Sequence, residues 1–100
     1  MSKVKHIVLL QFKDGTSEEL IGKFFDEILD ISESVPGVED YVSGLNSSPE
    51  QQNQGLTHGV VMTFSDAAVR DAYLASPEHE RYKAQVAALV ASSVVFDFEI

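Results

Sequence analysis

The chain has 100 residues, 44% of them apolar, no cysteine, and a formal net charge of −9 from 16 acidic and 7 basic side chains. The length suits one domain, and the charge balance leaves no Lys/Arg stripe to neutralise phosphates, so a nucleic-acid partner and an anionic membrane surface are both disfavoured. Disulfides are unavailable to a chain that buries only about two-thirds of its unfolded surface, so pairing with a second copy is one of the few ways to enlarge its core.

Met1 to His6 precede an apolar run of only four residues, Ile7 to Leu10, too short for a secretory segment. With no cysteine, the expectation is a single cytoplasmic domain over residues 1–100. Val4 to Phe12 reads as the first strand. Its centre, His6 to Leu10, is apolar at nearly every position, which predicts burial on both faces. Asp14-Gly15 turns the chain, and Thr16 with Glu19 has the spacing of a capping box opening a helix. Leu20, Ile21, Phe24, Phe25, Ile28 and Leu29 then recur at helical intervals, with Glu18, Lys23, Asp26, Glu27 and Asp30 on the other side. Pro36-Gly37 ends this helix, and Val38 to Asn46 reads as a second strand whose bulk is Val38, Tyr41 and Val42.

Ser47 to Gly55, polar and carrying Pro49 and three glutamines, is the long loop. His58 to Phe64 is a strand with His58, Val60, Met62 and Phe64 on one face and Val61 and Thr63 on the other. Ser65-Asp66 caps a helix to about Ala75. Ser76-Pro77 interrupts it, and serine before proline at a first helical position starts a second piece over Glu78 to Ala91. The last strand is Ser92 to Ile100, with Val94, Phe96, Phe98 and Ile100 on one side and Val95, Asp97 and Glu99 on the other.

The order β-α-β-β-α-β packs most economically as an α+β, ferredoxin-like protomer: a four-stranded antiparallel sheet with both helical segments on one face. The first strand is apolar on both faces, so the uncovered side exposes an apolar patch of either the His6/Val8/Leu10 or the Ile7/Leu9 parity. Patches beyond a few hundred square ångströms mark interaction sites. Two such faces packed about 10 Å apart form a barrel-like core, which predicts a homodimer in the form of a dimeric α/β barrel.

Thr57-His58-Gly59-Val60-Val61-Met62-Thr63-Phe64, followed by Tyr73-Leu74-Ala75-Ser76-Pro77-Glu78-His79, resembles the core signature of the Dabb domains, the stress-responsive dimeric A/B barrels. The opening Val4 to Lys13, the Pro36-Gly37 break and the Gly44…Ser48-Pro49-Glu50 passage are similar to the same family. The resemblance spans nearly the whole chain and implies a ferredoxin-like protomer and a homodimer. Functions in the family range from none assigned, through heat-stable stress proteins, to a plant polyketide cyclase that works by aldol condensation. On the cyclase's pattern the resemblance assigns catalytic positions to His79 and Tyr73 and pocket positions to His6 and His58. The residues lining the cyclase's alkyl tail do not carry over.

All three histidines of the chain therefore fall at matched positions. Histidine titrates nearest neutrality, so His79 is suited to remove a proton from carbon beside a carbonyl, with the Tyr73 hydroxyl on the developing enolate oxygen. Residues six apart do not share a helix face; the Ser76-Pro77 break is what would let them converge, and Glu78 or Glu80 is the carboxylate nearest in sequence to orient the imidazole. The bland readings are a polar residue in the first turn of a helix for His79, strand-end histidines satisfying backbone for His6 and His58, and a core tyrosine for Tyr73. Val8, Val60 and Met62 complete the expected pocket lining.

No cofactor is expected. His6 and His58 begin antiparallel neighbours, so they should stand roughly 15 Å apart, beyond zinc-ligand reach. Asp26, Glu27, Asp30 and Glu33 offer a surface place for Mg²⁺ or Ca²⁺, though a solvated acidic face is the simpler reading. Three functions remain open: a homodimeric module binding a small apolar or carbonyl ligand without reaction, a cofactor-free acid–base enzyme such as a cyclase or isomerase, and a structural stress protein.

Overall fold

The computed structural model describes residues 2–100. In chain order the elements are β1 (Val4–Phe12), α1 (Glu18–Ser34), β2 (Val38–Leu45), β3 (His58–Phe64), α2 (Ala67–Leu74), α3 (Pro77–Leu89) and β4 (Val90–Glu99). The strands form one antiparallel sheet in the order β2-β3-β1-β4, the ferredoxin-like arrangement.

Local chemistry sets the element ends. Ser17 caps α1, its hydroxyl accepting from the Leu20 N–H at 3.2 Å. The capping position is thus one residue later than the Thr16 expected from spacing. Thr16 is spent on the preceding turn, donating to the Lys13 carbonyl at 2.6 Å. Gly37 ends the α1–β2 connection at φ +91°, where a Cβ would meet Val69 Cγ1 at 2.5 Å. The last helix stops at Leu89, short of the expected Ala91, and the last strand starts at Val90. The register brings Val90 opposite Phe12, across an irregularity between Gln11 and Phe12, and the Lys13 N–H donates to the Leu89 carbonyl at 2.9 Å.

Register decides which parity faces the helices. Val4, His6, Val8 and Leu10 of β1 are buried with Val60, Met62 and Phe64 of β3 against Phe24, Ile28 and Ile31 of α1 and Tyr73 of α2. Leu20 and Leu29, read as part of the apolar stripe of α1, are exposed; the helix buries the row Phe24, Ile28, Ile31 and Ser32 instead.

The other parity is open. Leu9 lies directly between Gly59 and Val94, and Ile7 between Val61 and Phe96, all on the face the helices do not cover. Phe96 is 62% exposed, Val42 53%, and Leu9, Val94 and Phe98 are also exposed. The open patch is therefore the Ile7/Leu9 one, extended by the edge strands. Among the described residues no helix is long and apolar enough to cross a membrane.

The α1 packing makes a direct contrast. Phe24→Ala should lower the free energy of unfolding by about 3–5 kcal/mol, the cost of an aromatic cavity. Leu20→Ala, 43% exposed on the same helix, should cost less than about 1 kcal/mol. Urea titrations of the two variants check the assignment, and equal losses would refute it.

Candidate functional site

Between the sheet and the helices lies a small interior cavity of about 10 Å³ lined by His6, Val8, Ile28, Val60, Met62, Tyr73 and Tyr82. β1 and β3 supply its floor, and α1, α2 and α3 its roof. It has room for about one water. Tyr73 also lines an outer hollow of about 290 Å³ with Val35, Pro36, Val69, Ala72, Ser76 and Glu78. The Tyr73 ring is thus the wall shared by inner cavity and outer hollow.

The interruption between α2 and α3 brings Tyr73 and His79 together. The Ser76 hydroxyl donates to the Tyr73 carbonyl at 2.6 Å and accepts from the His79 N–H at 3.2 Å. One side chain thereby closes α2 and caps α3, with Pro77 at the first helical position where its missing N–H costs nothing. The ring centroids of Tyr73 and His79 stand 5.1 Å apart, edge to face, although the residues are six apart in sequence. Tyr82, one turn further along α3, is 5.7 Å from His79 on its other side.

Burial pushes the His79 imidazole below the usual histidine range, with Lys83 and His6 adding to the push and Glu80 opposing it. Its Nδ1 is buried and has no hydrogen-bond partner, while the Leu74 carbonyl lies near enough to the ring to oppose the shift. Neither Glu78 nor Glu80 orients the ring, Glu80 being engaged with Lys83 Nζ at 3.2 Å. Burial also raises the Tyr73 phenol far above its ordinary value and pushes Tyr82 up to about 12. Both hydroxyls stay protonated at working pH, as donors. The Tyr41 hydroxyl on β2 is a second buried polar atom without a partner.

His6 is held differently. It lies directly opposite Asp97 in the β1–β4 ladder, and its Nδ1 is 2.7 Å from Asp97 Oδ1. Asp97 Oδ2 accepts from the Arg70 guanidinium of α2 at 2.9 Å. Of the residues singled out from sequence, His6, Val8, Val60, Met62 and Tyr73 line one cavity, and His79 packs on Tyr73 outside its wall.

His58 sits elsewhere. It is opposite Leu10, four residues along β1 from His6, or about 14 Å. There it stacks on Phe25 at 5.3 Å, meets Phe12 edge to face, and shares a 2.8 Å hydrogen bond with the Thr57 hydroxyl. Burial lowers its imidazole, Glu18 opposing.

Asp97, Arg70, Tyr82 and Ile28 were not foreseen as site residues. Tyr82 was legible, being three residues from His79 on one helix face. Asp97 and Arg70 become visible only with the β1–β4 register. On α1, Glu27 and Asp30 both pair with Arg81 of α3, Asp30 at 2.7 Å, so half of the acidic group is an interhelix clamp. Among the described residues no cluster of three metal-ligating side chains occurs. On the open face, a hollow of about 600 Å³ lies beneath the β2–β3 loop, lined by Leu9, Val42, Leu45, Leu56, Val61 and Val94 among others.

Comparison with known proteins gives this geometry a setting. Olivetolic acid cyclase of Cannabis sativa is 25% identical over 95 residues, covering 95% of this chain and 94% of that protein. A hydroxynitrile lyase from Passiflora edulis superposes with a TM-score of 0.91 at 22% identity, covering 98% of this chain and 93% of the other. A dimeric ferredoxin-like protein from Thermobifida fusca superposes at 0.83 with 19% identity, covering 99% and 92%. These two structures share the fold. The model of the stress responsive A/B barrel domain matches residues 4–100, the stretch that holds the sheet, its helices and the cavity between them, and the chain belongs to that family, the Dabb proteins.

Proposed function

We propose that this chain acts as a homodimer, closed through the open sheet face, whose interior site binds a small carbonyl compound with an apolar body. The observation that carries the ligand reading is a Tyr73 hydroxyl kept protonated by burial on the wall of an otherwise largely apolar cavity, with His79, whose buried Nδ1 has no partner, packed on that ring. A buried unsatisfied group costs roughly 1–3 kcal/mol, a cost that a ligand carbonyl or hydroxyl removes. An empty space of about 10 Å³ admits a ligand only if a wall moves, and Tyr73 is the wall with a hollow behind it. Its ring swings into the outer space and joins the two. The similarity to a plant cyclase favours a carbonyl substrate, and the lack of cysteine suits the cytoplasm.

A second reading, turnover, is favoured by the 5.1 Å contact of Tyr73 and His79. In it the phenol, with His79 packed on its ring, donates to the carbonyl oxygen while an interior imidazole moves the proton on the adjacent carbon. No cofactor is needed, because the negative charge that builds up lies on the enolate oxygen, where the phenol donates, and the proton is held as imidazolium.

The dimer rests on the open face. Burying the exposed half of a Phe, Leu or Val stabilises by roughly 1 kcal/mol, so Leu9, Val42, Val94, Phe96 and Phe98 together contribute on the order of 5 kcal/mol per protomer. Phe96→Arg should weaken self-association roughly 100-fold or more, seen as monomer by sedimentation at micromolar concentration. A native protein that sediments as a monomer there overturns the dimer.

The ligand site is tested with octan-2-one as probe. Calorimetry should show binding that Tyr73→Trp, which fills the outer hollow, abolishes. Proton NMR in D₂O then reads exchange beside the carbonyl: acceleration over buffer, lost about 10-fold or more in His79→Ala, supports turnover, whereas binding without exchange leaves the module alone.

The histidine environments fix a pH dependence. His79 and His58 have folded-state values below the ordinary histidine value of about 6.5. The unfolded chain therefore binds more protons in the window just below 6.5, and stability rises with pH there. Urea midpoints should be level above about pH 7 and fall as the pH drops through 6.5 towards the folded values, with part of the fall removed in His79→Gln. A midpoint that rises on acidification through this window contradicts the burial.

A further inference from the structure

We propose that His6 is the proton-accepting group of the interior site, aimed into it by Asp97, with Arg70 holding Asp97; Asp97 and Arg70 are positioning residues. This rests on the reading of the cavity as a ligand site and names which imidazole does the accepting.

The argument begins at the carboxylate. An ionised carboxylate can only accept hydrogen bonds, so the 2.7 Å contact between Asp97 Oδ1 and His6 Nδ1 places the ring proton on Nδ1. The remaining lone pair is then on Nε2. Among the described residues the one hydrogen bond of the ring is that to Asp97, and His6 is one of the residues lining the cavity. Its acceptor orbital is left for whatever occupies that space.

The aim is rigid at three points. His6 and Asp97 are direct partners on adjacent strands, so their backbones are fixed by the sheet. Phe64 packs edge to face on the His6 ring at 5.9 Å. The second Asp97 oxygen is taken by Arg70 at 2.9 Å, and Arg70 is itself tied through Nε to Asp71 at 2.8 Å. With both oxygens engaged, the carboxylate cannot turn away from His6.

His79 lacks each of these. No carboxylate bonds it, and burial, with Lys83 and His6, disfavours its cation against the opposing Leu74 carbonyl and Glu80. A proton accepted by His79 would be desolvated with no bonded carboxylate; one accepted by His6 faces Asp97. The work is therefore divided: the Tyr73 hydroxyl, with neutral His79 packed on its ring, serves the carbonyl oxygen, and His6 serves the carbon. In the turnover reading, His6 Nε2 takes the proton from the carbon beside the carbonyl. The C–H electron pair becomes the enolate C=C, and charge passes to the oxygen bonded by Tyr73. Return of a proton or deuteron from Nε2 to that carbon restores the ketone.

Two-bond ¹H–¹⁵N NMR on labelled protein reads the tautomer of each of the three histidines without any ligand. The expected result is His6 as the Nδ1–H form in the native protein, with Asp97→Asn shifting it towards Nε2–H while the His58 pattern stays put. A native His6 found as Nε2–H overturns the proposal even if the variant fails to fold, as does a folded Asp97→Asn with an unchanged His6. With octan-2-one in D₂O, Asp97→Asn should slow saturated exchange roughly 100-fold at an unchanged half-saturating concentration, and Arg70→Gln less. If the native protein binds the ketone but exchanges nothing, turnover falls and the tautomer still decides the acceptor. If exchange occurs and survives His6→Gln, the assignment to His6 is wrong.

Discussion

A four-stranded sheet has two faces, and this chain supplies helices for one of them. β1 and β3, the central pair, are apolar on both sides because both sides are to be dry. The helix side is closed within the protomer by Phe24, Ile28 and Ile31. The opposite side carries Leu9, Val42, Val94, Phe96 and Phe98 into water. Among the described residues no helix lies over that face, which leaves it open to association. On the covered side, Ile28 of α1, Tyr73 of α2 and Tyr82 of α3 converge with His6 on the interior cavity.

The element order, the antiparallel topology and the family were legible in the sequence because they rest on periodicity and on strong punctuation at Pro36-Gly37, Ser65-Asp66 and Ser76-Pro77. Finer details were not. Thr16 and Ser17 are both good caps, and which one caps depends on which hydroxyl the Lys13 turn consumes. Leu20 and Leu29 belong to an apolar stripe broader than the strip of sheet available to α1, so periodicity includes them and packing leaves them out. The convergence of Tyr73 and His79 could be suspected from the Ser76-Pro77 break, but the device that achieves it, one hydroxyl bridging the Tyr73 carbonyl and the His79 amide, is a matter of angles. Asp97 was invisible as a site residue because strand alternation says only that it faces away from Phe96 and Phe98. That it faces His6 is a statement about register, and register between β1 and β4 is set by residues 90 apart in sequence.

The interior histidines show how a small core treats titratable groups in two opposite ways. His58 and His79 are kept neutral by burial, one among Phe12 and Phe25, the other between Tyr73 and Tyr82. Each destabilises the fold if protonated. His6 is more deeply buried than either, yet a carboxylate and a guanidinium from two further elements surround it. A fold needing only a space-filler at His6 would be served as well by a leucine, with no buried charge to compensate. Retaining a three-membered ionic chain in that position favours a polar task at the cavity over a packing one.

The two buried polar atoms left without partners sharpen that point. Tyr41 Oη and His79 Nδ1 both belong to the layer between sheet and helices, and each costs roughly 1–3 kcal/mol in a protein whose total stability is of order 5–15. A methionine or phenylalanine at either position would remove the cost without disturbing the apolar pattern. Nearby, the Ser32, Ser34 and Ser76 hydroxyls all find backbone carbonyls three residues back, so the fold satisfies buried polar groups where satisfaction is local. The exceptions are Tyr41 Oη and His79 Nδ1, neither of which makes a hydrogen bond of good geometry within its own helix or strand. In the proposed reading, a small molecule that reaches the cavity past the Tyr73 ring meets the polar groups gathered there.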